Sequence, residues 1–279
     1  MGSLSAAART LYHRFRRRRR GEPRPLEDRG KQHLRAVAAE GISVIENYYT
    51  REQCNALIAE MERLFKEYDQ FIERDACNSD NRAYAANRAS AAIAKYFSDS
   101  FITDLSKAYM GPQEQCFFTL ANKVVPFPGN LGSGGGWHRD TPHEHQFKSI
   151  LYLTDVTAET GAFEYIPRSH KVSYFVKAIR SAGIKFAQNR LSDEDIQRLV
   201  TSLGVEPRVM SASAGTLILV DSSGVHRGRP IMSGVRYALT NYFFSASAIE
   251  THKKQNKFVK YFLPSNSDGQ KANPVGGAA

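Results

Sequence analysis

The second half of the chain is a series of short β-forming runs separated by glycine and proline. Pro126, Pro128 and the glycines between 129 and 136 interrupt the series after its first strand. Short strands joined by such turns indicate an antiparallel sandwich or barrel, and the long gap between residues 140 and 226 suits a jelly roll. We predict a mainly β fold with flanking helices and with strands at 116–125, 147–153, 161–166, 208–211, 216–220 and 236–244.

The first half of the chain has helical patterns. Thr50 and Gln53 form a capping-box pair ahead of a stripe of apolar residues at helical spacing. That stripe packs in a core and is not a cofactor site. A short strand is predicted at 41–45, and the polar run 73–88 is predicted to be a loop. The predicted helices cover 54–65, 99–110 and 192–203.

The positive charge of the chain lies at its two ends. The formal net charge is +10 over 279 residues. Residues 1–20 hold seven arginines and no acid, and the residues from 250 onward hold five lysines and two acids, so the body between them is neutral. We therefore predict a basic flexible arm at 1–30, one domain at 31–250 and a basic flexible tail at 251–279. The neutral body argues against a nucleic-acid partner, whereas the arm suits weak contact with an anionic surface.

The cysteines and the hydropathy indicate the compartment. Three widely spaced cysteines, with no CxxC pair, suit neither a disulfide framework nor a cysteine zinc site and are typical of a reducing compartment. No apolar run approaches the roughly 18 residues that a membrane span needs. We predict a cytoplasmic protein, with peripheral membrane binding or organelle targeting by the arm as the alternative.

A possible metal site follows the glycine-rich connection. His138 and Asp140 stand two residues apart, so in an extended segment their side chains point to the same side. His226 comes after the apolar strand 216–220 and can supply a third ligand. Two histidines and one carboxylate form the facial triad of non-haem Fe(II) oxygenases, which leaves coordination positions open. His143 and His145 are rival ligands, and a zinc site of His138, His143 and His145 is the alternative.

An arginine begins the last predicted strand. Arg236 heads an otherwise apolar run and so requires an anion, and its guanidinium can bind a carboxylate through two hydrogen bonds. Alternation puts Ala238, Thr240 and Tyr242 on the same face as Arg236. Lys148 is a second candidate anion contact, with a surface lysine as the alternative. The candidate substrate contacts adjoin the ligands in sequence: Trp137, Arg139 and His143.

These residues resemble the phytanoyl-CoA dioxygenase family of Fe(II)/2-oxoglutarate oxygenases. The resemblance covers residues 41–244 and is carried by the run from Trp137 to Asp140, by 151–155, by 161–171, by 215–221 and by His226 and Arg236. The family usually has Pro-Gly-Ser-His in the turn where this chain has Pro167-Arg168-Ser169-His170.

The resemblance implies a fold and a reaction. The fold would be a double-stranded β-helix, the jelly roll of the cupins. The enzyme would use Fe(II) and O2 to decarboxylate 2-oxoglutarate to succinate and CO2 while it hydroxylates, or otherwise oxidises, a small or carrier-linked metabolite. The alternative is a cupin-like metal-binding protein or isomerase without oxygenase turnover. Asp140 further implies hydroxylation, desaturation or ring closure, and not the chlorination of related iron halogenases, which have Ala or Gly at that position.

Overall fold

The computed structural model describes residues 26–141 and 145–265. The arginine run of the arm, His143 and the tail from residue 266 lie outside the described residues. The helices, numbered in chain order, are α1 Asp28–Glu40, α2 Arg51–Glu67, α3 Ala91–Phe97, α4 Ser100–Met110, α5 Val172–Ala182, α6 Asp193–Leu203 and α7 Ala246–Lys254. The strands are β1 Ile42–Ile45, β2 Glu73–Arg74, β3 Asp80–Ala83, β4 Glu114–Val124, β5 Phe147–Tyr152, β6 Phe163–Tyr165, β7 Arg208–Met210, β8 Leu217–Asp221, β9 His226–Gly228 and β10 Arg236–Ser245.

Two antiparallel sheets form the predicted jelly roll. The larger sheet has the order β1-β8-β5-β10-β4-β3-β2, and the smaller has the order β7-β6-β9. From β5 onward the chain passes from the larger sheet to the smaller one and back, and it does so twice, as in a double-stranded β-helix. Strands β5 and β8 are buried along their whole length because both faces of the larger sheet are covered.

The two faces of the larger sheet have different neighbours. One face packs against helices α2 and α4 through a core that includes Met61, Leu105 and Leu239. The other face carries Ile150 and Ile218 and turns toward the smaller sheet. Because side chains alternate along each strand, the strands that build the helical core also furnish the space between the sheets.

The Thr50 capping box is present at the start of α2. The Thr50 hydroxyl accepts from the amide of Gln53 at 3.2 Å, and the Gln53 side chain accepts from the amide of Thr50 at 2.8 Å. Each bond satisfies an amide that the helix itself leaves unpaired. The predicted glycine stop of α6 is also present, since Gly204 ends that helix in the left-handed conformation.

Helices near both ends of the described residues lie across the predicted domain boundaries. Helix α1 begins at Asp28, inside the predicted arm, and its Val37 joins the core. Helix α7 crosses residue 250, and Leu263 is fully buried beyond it. A lysine-rich composition concealed this packing, because a few apolar side chains are enough to bind such a segment to the sheet. In the described part of the chain, no helix has both the length and the apolar character to cross a bilayer.

The turn after β6 contains an arginine in the left-handed backbone conformation that glycine usually occupies. Arg168, which replaces the glycine of the family pattern, has φ +66°. Only glycine adopts this region without steric cost. The side chain forms an ion pair with Glu40 at 3.6 Å, which ties the turn to the end of α1.

Candidate metal and co-substrate site

The segment that holds His138 and Asp140 pairs with strand β9. His138 and His226 exchange two backbone hydrogen bonds, of 2.8 and 2.9 Å. Residues paired in this way point their side chains to the same side of the sheet, and the two imidazole rings have centroids 4.3 Å apart. Backbone pairing across 88 positions of sequence thus unites two of the predicted ligands.

The glycine before this segment is required by close approach. A Cβ built on Gly134 would lie 2.5 Å from Cε1 of His138, and the backbone there has φ +89°. Any larger residue would both strain the turn and displace the imidazole. The glycine-rich connection therefore determines where His138 sits.

Neighbouring carbonyl groups determine which ring nitrogen of each histidine carries the proton. Nδ1 of His138 donates to the Gly136 carbonyl at 2.8 Å, and Nδ1 of His226 donates to the Gly224 carbonyl at 2.9 Å. Each Nε2 is then left with a lone pair, the arrangement that neighbouring carbonyls impose on metal-binding histidines.

The two Nε2 atoms face the same carboxylate. Nε2 of His138 lies 3.8 Å from Oδ1 of Asp140, and Nε2 of His226 lies 3.7 Å from Oδ2. One ligand atom from each of the three residues lies within 4.8 Å of the others. A single cation between them would meet two nitrogens and one oxygen.

Burial and charge fix the protonation states of the three groups. Burial and the adjacent His138 lower the pKa of His226 to about 3, and burial also lowers the pKa of His138. Burial alone would raise the pKa of Asp140, but the Lys148 ammonium and the imidazoles outweigh it and hold that pKa well below its usual value. At neutral pH the site offers two neutral imidazoles and a carboxylate, which are the states that bind a divalent metal.

Lys148 is buried beside the carboxylate, which excludes the surface-lysine alternative. Its ammonium lies 2.6 Å from Oδ2 of Asp140 and 4.0 Å from the ring centre of Tyr242. Apart from this ion pair, the buried Oδ2 has no hydrogen-bond partner among the described residues. A buried carboxylate beside two imidazole lone pairs fits a divalent cation.

Arg236 stands in the same cavity and is 5% exposed. Its Nη2 donates to Oδ1 of Asn122 at 2.7 Å, and its Nη1 donates to the carbonyl of Gly161. Its buried Nε has no hydrogen-bond partner among the described residues. The predicted alternation of β10 is observed, because Ala238, Thr240 and Tyr242 also line the cavity, while Leu239 lies in the helical core.

A cavity of about 790 Å³ opens between the two sheets. It extends from the ligand cluster to helix α7, whose Thr251 and His252 form part of its wall. This volume lies within the range of about 300–1,000 Å³ that is usual for small-molecule sites. The cavity therefore has room for a substrate beside a small co-substrate.

Two predicted substrate contacts point away from this cavity. Trp137 is buried in the core formed with α5 and α6, where Arg227 lies 4.4 Å from its ring centre. Arg139 stacks 3.8 Å from the ring centre of Phe175 and donates to the carbonyl of Ser223 at 2.7 Å. Neither residue is among the described residues that line the cavity. In an extended segment, the residues on either side of His138 necessarily face the other way.

The rival histidines lie apart from the ligand cluster. Nδ1 of His145 contacts Oδ2 of Asp221, which also accepts from the hydroxyl of Tyr109 at 2.7 Å. His145 lines the cavity but does not join the ligand cluster found in the described residues. His143 lies outside the described residues.

Several polar residues of the cavity wall were not among the sequence candidates. Arg82 lies on β3, inside the predicted loop 73–88, and Asn122 lies near the end of β4. Arg190 is paired with His138 as an isolated β-bridge. A polar residue in an apolar strand was the available signal for Asn122, whereas Arg82 and Arg190 had none that separates them from surface arginines.

The sequence matches one family model over most of its length. The model, described as phytanoyl-CoA dioxygenase (PhyH), matches residues 38–237. The chain belongs to the phytanoyl-CoA dioxygenase family. It is therefore a 2-oxoglutarate-dependent non-haem iron dioxygenase, with iron, 2-oxoglutarate and O2 as its cofactor and co-substrates.

Individual relatives agree with this membership. An ectoine dioxygenase of Nocardia farcinica is 24% identical over 239 residues, which are 75% of this chain and 78% of the relative. The apo structure of EctD from S. alaskensis has a TM-score of 0.63 at 15% identity, with 83% of this chain and 82% of that chain covered. The structure of the epimerase SnoN from nogalamycin biosynthesis has a TM-score of 0.59 at 14% identity, with 88% and 92% covered. The structural likenesses establish the shared jelly-roll fold.

Proposed function

We propose that His138, Asp140 and His226 hold the Fe(II) of this dioxygenase. The observation that supports this most is the convergence of two imidazole nitrogens and one carboxylate oxygen within 4.8 Å. When bound, iron supplies the oxidising chemistry with 2-oxoglutarate and O2. The protein's own contribution is to fix the two imidazole tautomers through Gly136 and Gly224 and to keep the carboxylate ionised. Succinate release that depends on both Fe(II) and 2-oxoglutarate separates this function from a cupin-like isomerase without oxygenase turnover.

We further propose that Arg236 binds the distal carboxylate of 2-oxoglutarate. The guanidinium is buried, borders the ligand cavity and has no carboxylate partner among the described residues. Its Nε and the second hydrogen of Nη2 form an edge that suits a carboxylate. Lys148 remains a candidate for a second contact to the co-substrate. Its ion pair with Asp140 also supports a role in orienting the carboxylate toward the metal.

The charge of the cavity favours a small substrate that carries an acidic group. Among the described residues, five cationic side chains and two carboxylates, those of Glu114 and Asp140, line the cavity. Asp140 pairs with Lys148, and Asp80, which lies behind the wall, pairs with Arg82. The cations without a carboxylate partner in the described part of the chain are Arg190, Arg236 and Lys257. Once Arg236 is assigned to the co-substrate, positive charge still remains at the cavity wall. Carrier linkage of the substrate and the cytoplasmic location remain predictions.

Arg190 is the cation best oriented for this acidic group. Its cross-strand pairing with His138 brings it to the ligand side of the sheet, and its Nη1 donates to the carbonyls of Gly134 and Gly135, the latter at 2.9 Å. Nη1 is thereby held by the glycine loop, and the described residues provide no partner for the other two nitrogens.

Removal of the Arg190 charge is expected to lower the activity toward acidic substrates selectively. Arg190→Gln should lower kcat/KM for a carboxylate substrate by about tenfold or more, since a charge-assisted hydrogen bond contributes about 1.5–3 kcal/mol. The KM for 2-oxoglutarate should not change. Arg198→Gln is the matched control, because Arg198 is exposed on α6 and pairs with Asp195. Succinate release is measured with carboxylates and with their primary amides, and equal loss for both would remove Arg190 from this role.

Asp140 also predicts the type of product. Its carboxylate occupies the position that chloride would need, so we expect an oxygenated, desaturated or cyclised product in excess chloride, and no chlorinated one. Mass spectrometry of the product with and without chloride measures this directly. A chlorinated product from the unmodified enzyme would show that Asp140 does not bind the iron.

A further inference from the structure

A buried carboxylate lies behind the proposed co-substrate site. Asp80 on β3 is 2% exposed. Its Oδ2 accepts from Nε of Arg82 at 3.0 Å and from the amide of Gly134 at 3.3 Å. Its Oδ1 accepts from Nδ2 of Asn122 at 2.5 Å. Both oxygens of the carboxylate are thus engaged, although Asp80 itself does not line the cavity.

Asn122 passes this contact on to Arg236. The Oδ1 of Asn122 accepts from Nη2 of Arg236 at 2.7 Å and from the hydroxyl of Ser133 at 3.3 Å. The register of the sheet brings these groups together, since Asp80 and Arg236 both lie opposite Val124, on either side of β4. Asn122 stands two residues away from Val124 on the same face and connects the two charged groups.

The charge on Asp80 helps to fix which way the Asn122 amide points. A carboxylate accepts hydrogen bonds and does not donate them, so the NH2 end of Asn122 must face Asp80. The same Nδ2 also donates to the carbonyl of Asn81 at 3.2 Å. The carbonyl end of Asn122 is then obliged to face Arg236 and Ser133, which both donate. A neutral, donating group at position 80 would favour the reversed amide, which sets an NH2 against the guanidinium.

The same carboxylate supports the charge of Arg236. Burial lowers the pKa of Arg236, and Asp80 is one of the groups that oppose this effect. The direct acceptors of the guanidinium, Asn122 and the Gly161 carbonyl, are both neutral. Asp80 therefore stabilises the charge of Arg236 across the intervening Asn122 amide, without a direct hydrogen bond to the guanidinium.

We propose that Asp80 is a positioning residue for the co-substrate. By fixing the Asn122 amide, Asp80 holds the guanidinium of Arg236 in the orientation that receives the distal carboxylate of 2-oxoglutarate. Its contact with the Gly134 amide ties the same carboxylate to the loop that carries His138. The inference rests on the role of Arg236 proposed above.

The decisive variant is Asp80→Asn, which keeps the shape and removes the charge. The introduced side-chain amide can still accept from Arg82 and Gly134 while it donates to Asn122, whose own amide then turns its NH2 toward Arg236. We expect the Kd of 2-oxoglutarate for the anaerobic Fe(II) enzyme, and its KM, to rise about tenfold. The kcat at saturating co-substrate and the Fe(II) affinity without co-substrate should stay within about twofold, because the ligand side of the loop keeps its contacts.

A purely electrostatic effect of Asp80 predicts the opposite change in the Kd of 2-oxoglutarate. Removal of a negative charge near Arg236 would tighten the binding of a dianion if Asp80 acted only through its field. Weaker binding of 2-oxoglutarate therefore identifies positioning. Unchanged or tighter binding by folded Asp80→Asn overturns the proposal.

A double-mutant cycle tests whether Asp80 acts through Asn122. Asn122→Ala should itself weaken 2-oxoglutarate binding, and Asp80→Asn should add no further loss in that background, because the connection is already broken. Additive losses would mean that Asp80 acts by another route and would overturn the proposal. If Asp80→Asn does not fold, Asn122→Ala decides alone, and its normal affinity for 2-oxoglutarate overturns the proposal.

Two controls separate this inference from the proposed function. Asp155→Asn removes a carboxylate that binds Arg51 at 2.7 Å outside the cavity, so its 2-oxoglutarate affinity should equal that of the unmodified enzyme. Arg236→Leu is measured in parallel. Normal co-substrate binding in Arg236→Leu refutes the assignment of Arg236, whereas weak binding there with normal binding in Asp80→Asn refutes only the role of Asp80.

Discussion

Each of the single replacements His138→Ala, Asp140→Ala and His226→Ala should lower the affinity for Fe(II) by more than about 100-fold. Even the outer partners of metal ligands are worth about 10–100-fold in affinity, and a direct ligand is worth more. The fold should survive, because the three side chains face the cavity and are not part of the three larger apolar cores. Anaerobic calorimetry measures the affinity, and circular dichroism measures the folding.

Histidines outside the cluster are the controls for this result. His33→Ala should leave iron binding unchanged, because His33 pairs with Ser43 away from the cavity. His143→Ala should also keep the iron, as the sequence pattern predicts. Full iron affinity in two of the three ligand variants would refute the triad.

Arg236→Leu should raise the KM for 2-oxoglutarate strongly while Fe(II) still binds. The loss of a buried, charged contact costs on the order of 2–5 kcal/mol, which includes the penalty of leaving the ligand carboxylate unpaired. Arg236→Lys should recover part of the affinity, because it keeps the charge but not the paired hydrogen bonds of the guanidinium. Succinate release at varied 2-oxoglutarate gives the KM of each variant.

The melting temperature of each Arg236 variant should be measured together with its KM. Arg236 also bonds to Asn122 and to the Gly161 carbonyl, so its loss leaves two buried acceptors with fewer partners and lowers the melting temperature. A variant that melts early but binds 2-oxoglutarate normally would refute the co-substrate role. Lys148 would then be the next candidate, since it is a buried cation that adjoins the ligands.

The features that sequence could predict follow from fixed periodicities. The alternation along β10 puts Arg236 and Thr240 on the cavity face, because successive side chains of any strand point in opposite directions. The same rule brings His138 and Asp140 to one side. It also carries Trp137 and Arg139 to the other side, into the core with α5. Nearness in sequence to the metal ligands predicts Trp137 and Arg139 as substrate contacts, whereas alternation along the segment predicts that they face away from the cavity.

Other features depend on register and on the ends of the sheet. The stretch 73–88, predicted to be a loop, contains β2 and β3. These two short polar strands at one end of the larger sheet have no apolar alternation to reveal them. Asp80 meets Asn122 only because β3 pairs with β4 in one particular register. Lys148 likewise reaches Asp140 because β5 lies beside β8: Lys148 pairs with Val220, and the amide of Asp140 donates to the carbonyl of Ser222, just beyond β8, at 3.1 Å. Pairing between distant strands is not encoded in any local pattern, so the polar network behind Arg236 could not be read from the chain.

The most direct test of the metal and co-substrate site is an anaerobic titration of the unmodified enzyme. Fe(II) held by two imidazoles and one carboxylate would leave positions open for 2-oxoglutarate, and binding of 2-oxoglutarate to this iron would produce a visible charge-transfer band. We predict that, with one iron bound per chain, this band grows with added 2-oxoglutarate until it saturates. It should be absent from His226→Ala at the same concentrations. A folded enzyme that gives no band, or a band of equal strength in His226→Ala, would contradict the proposed site.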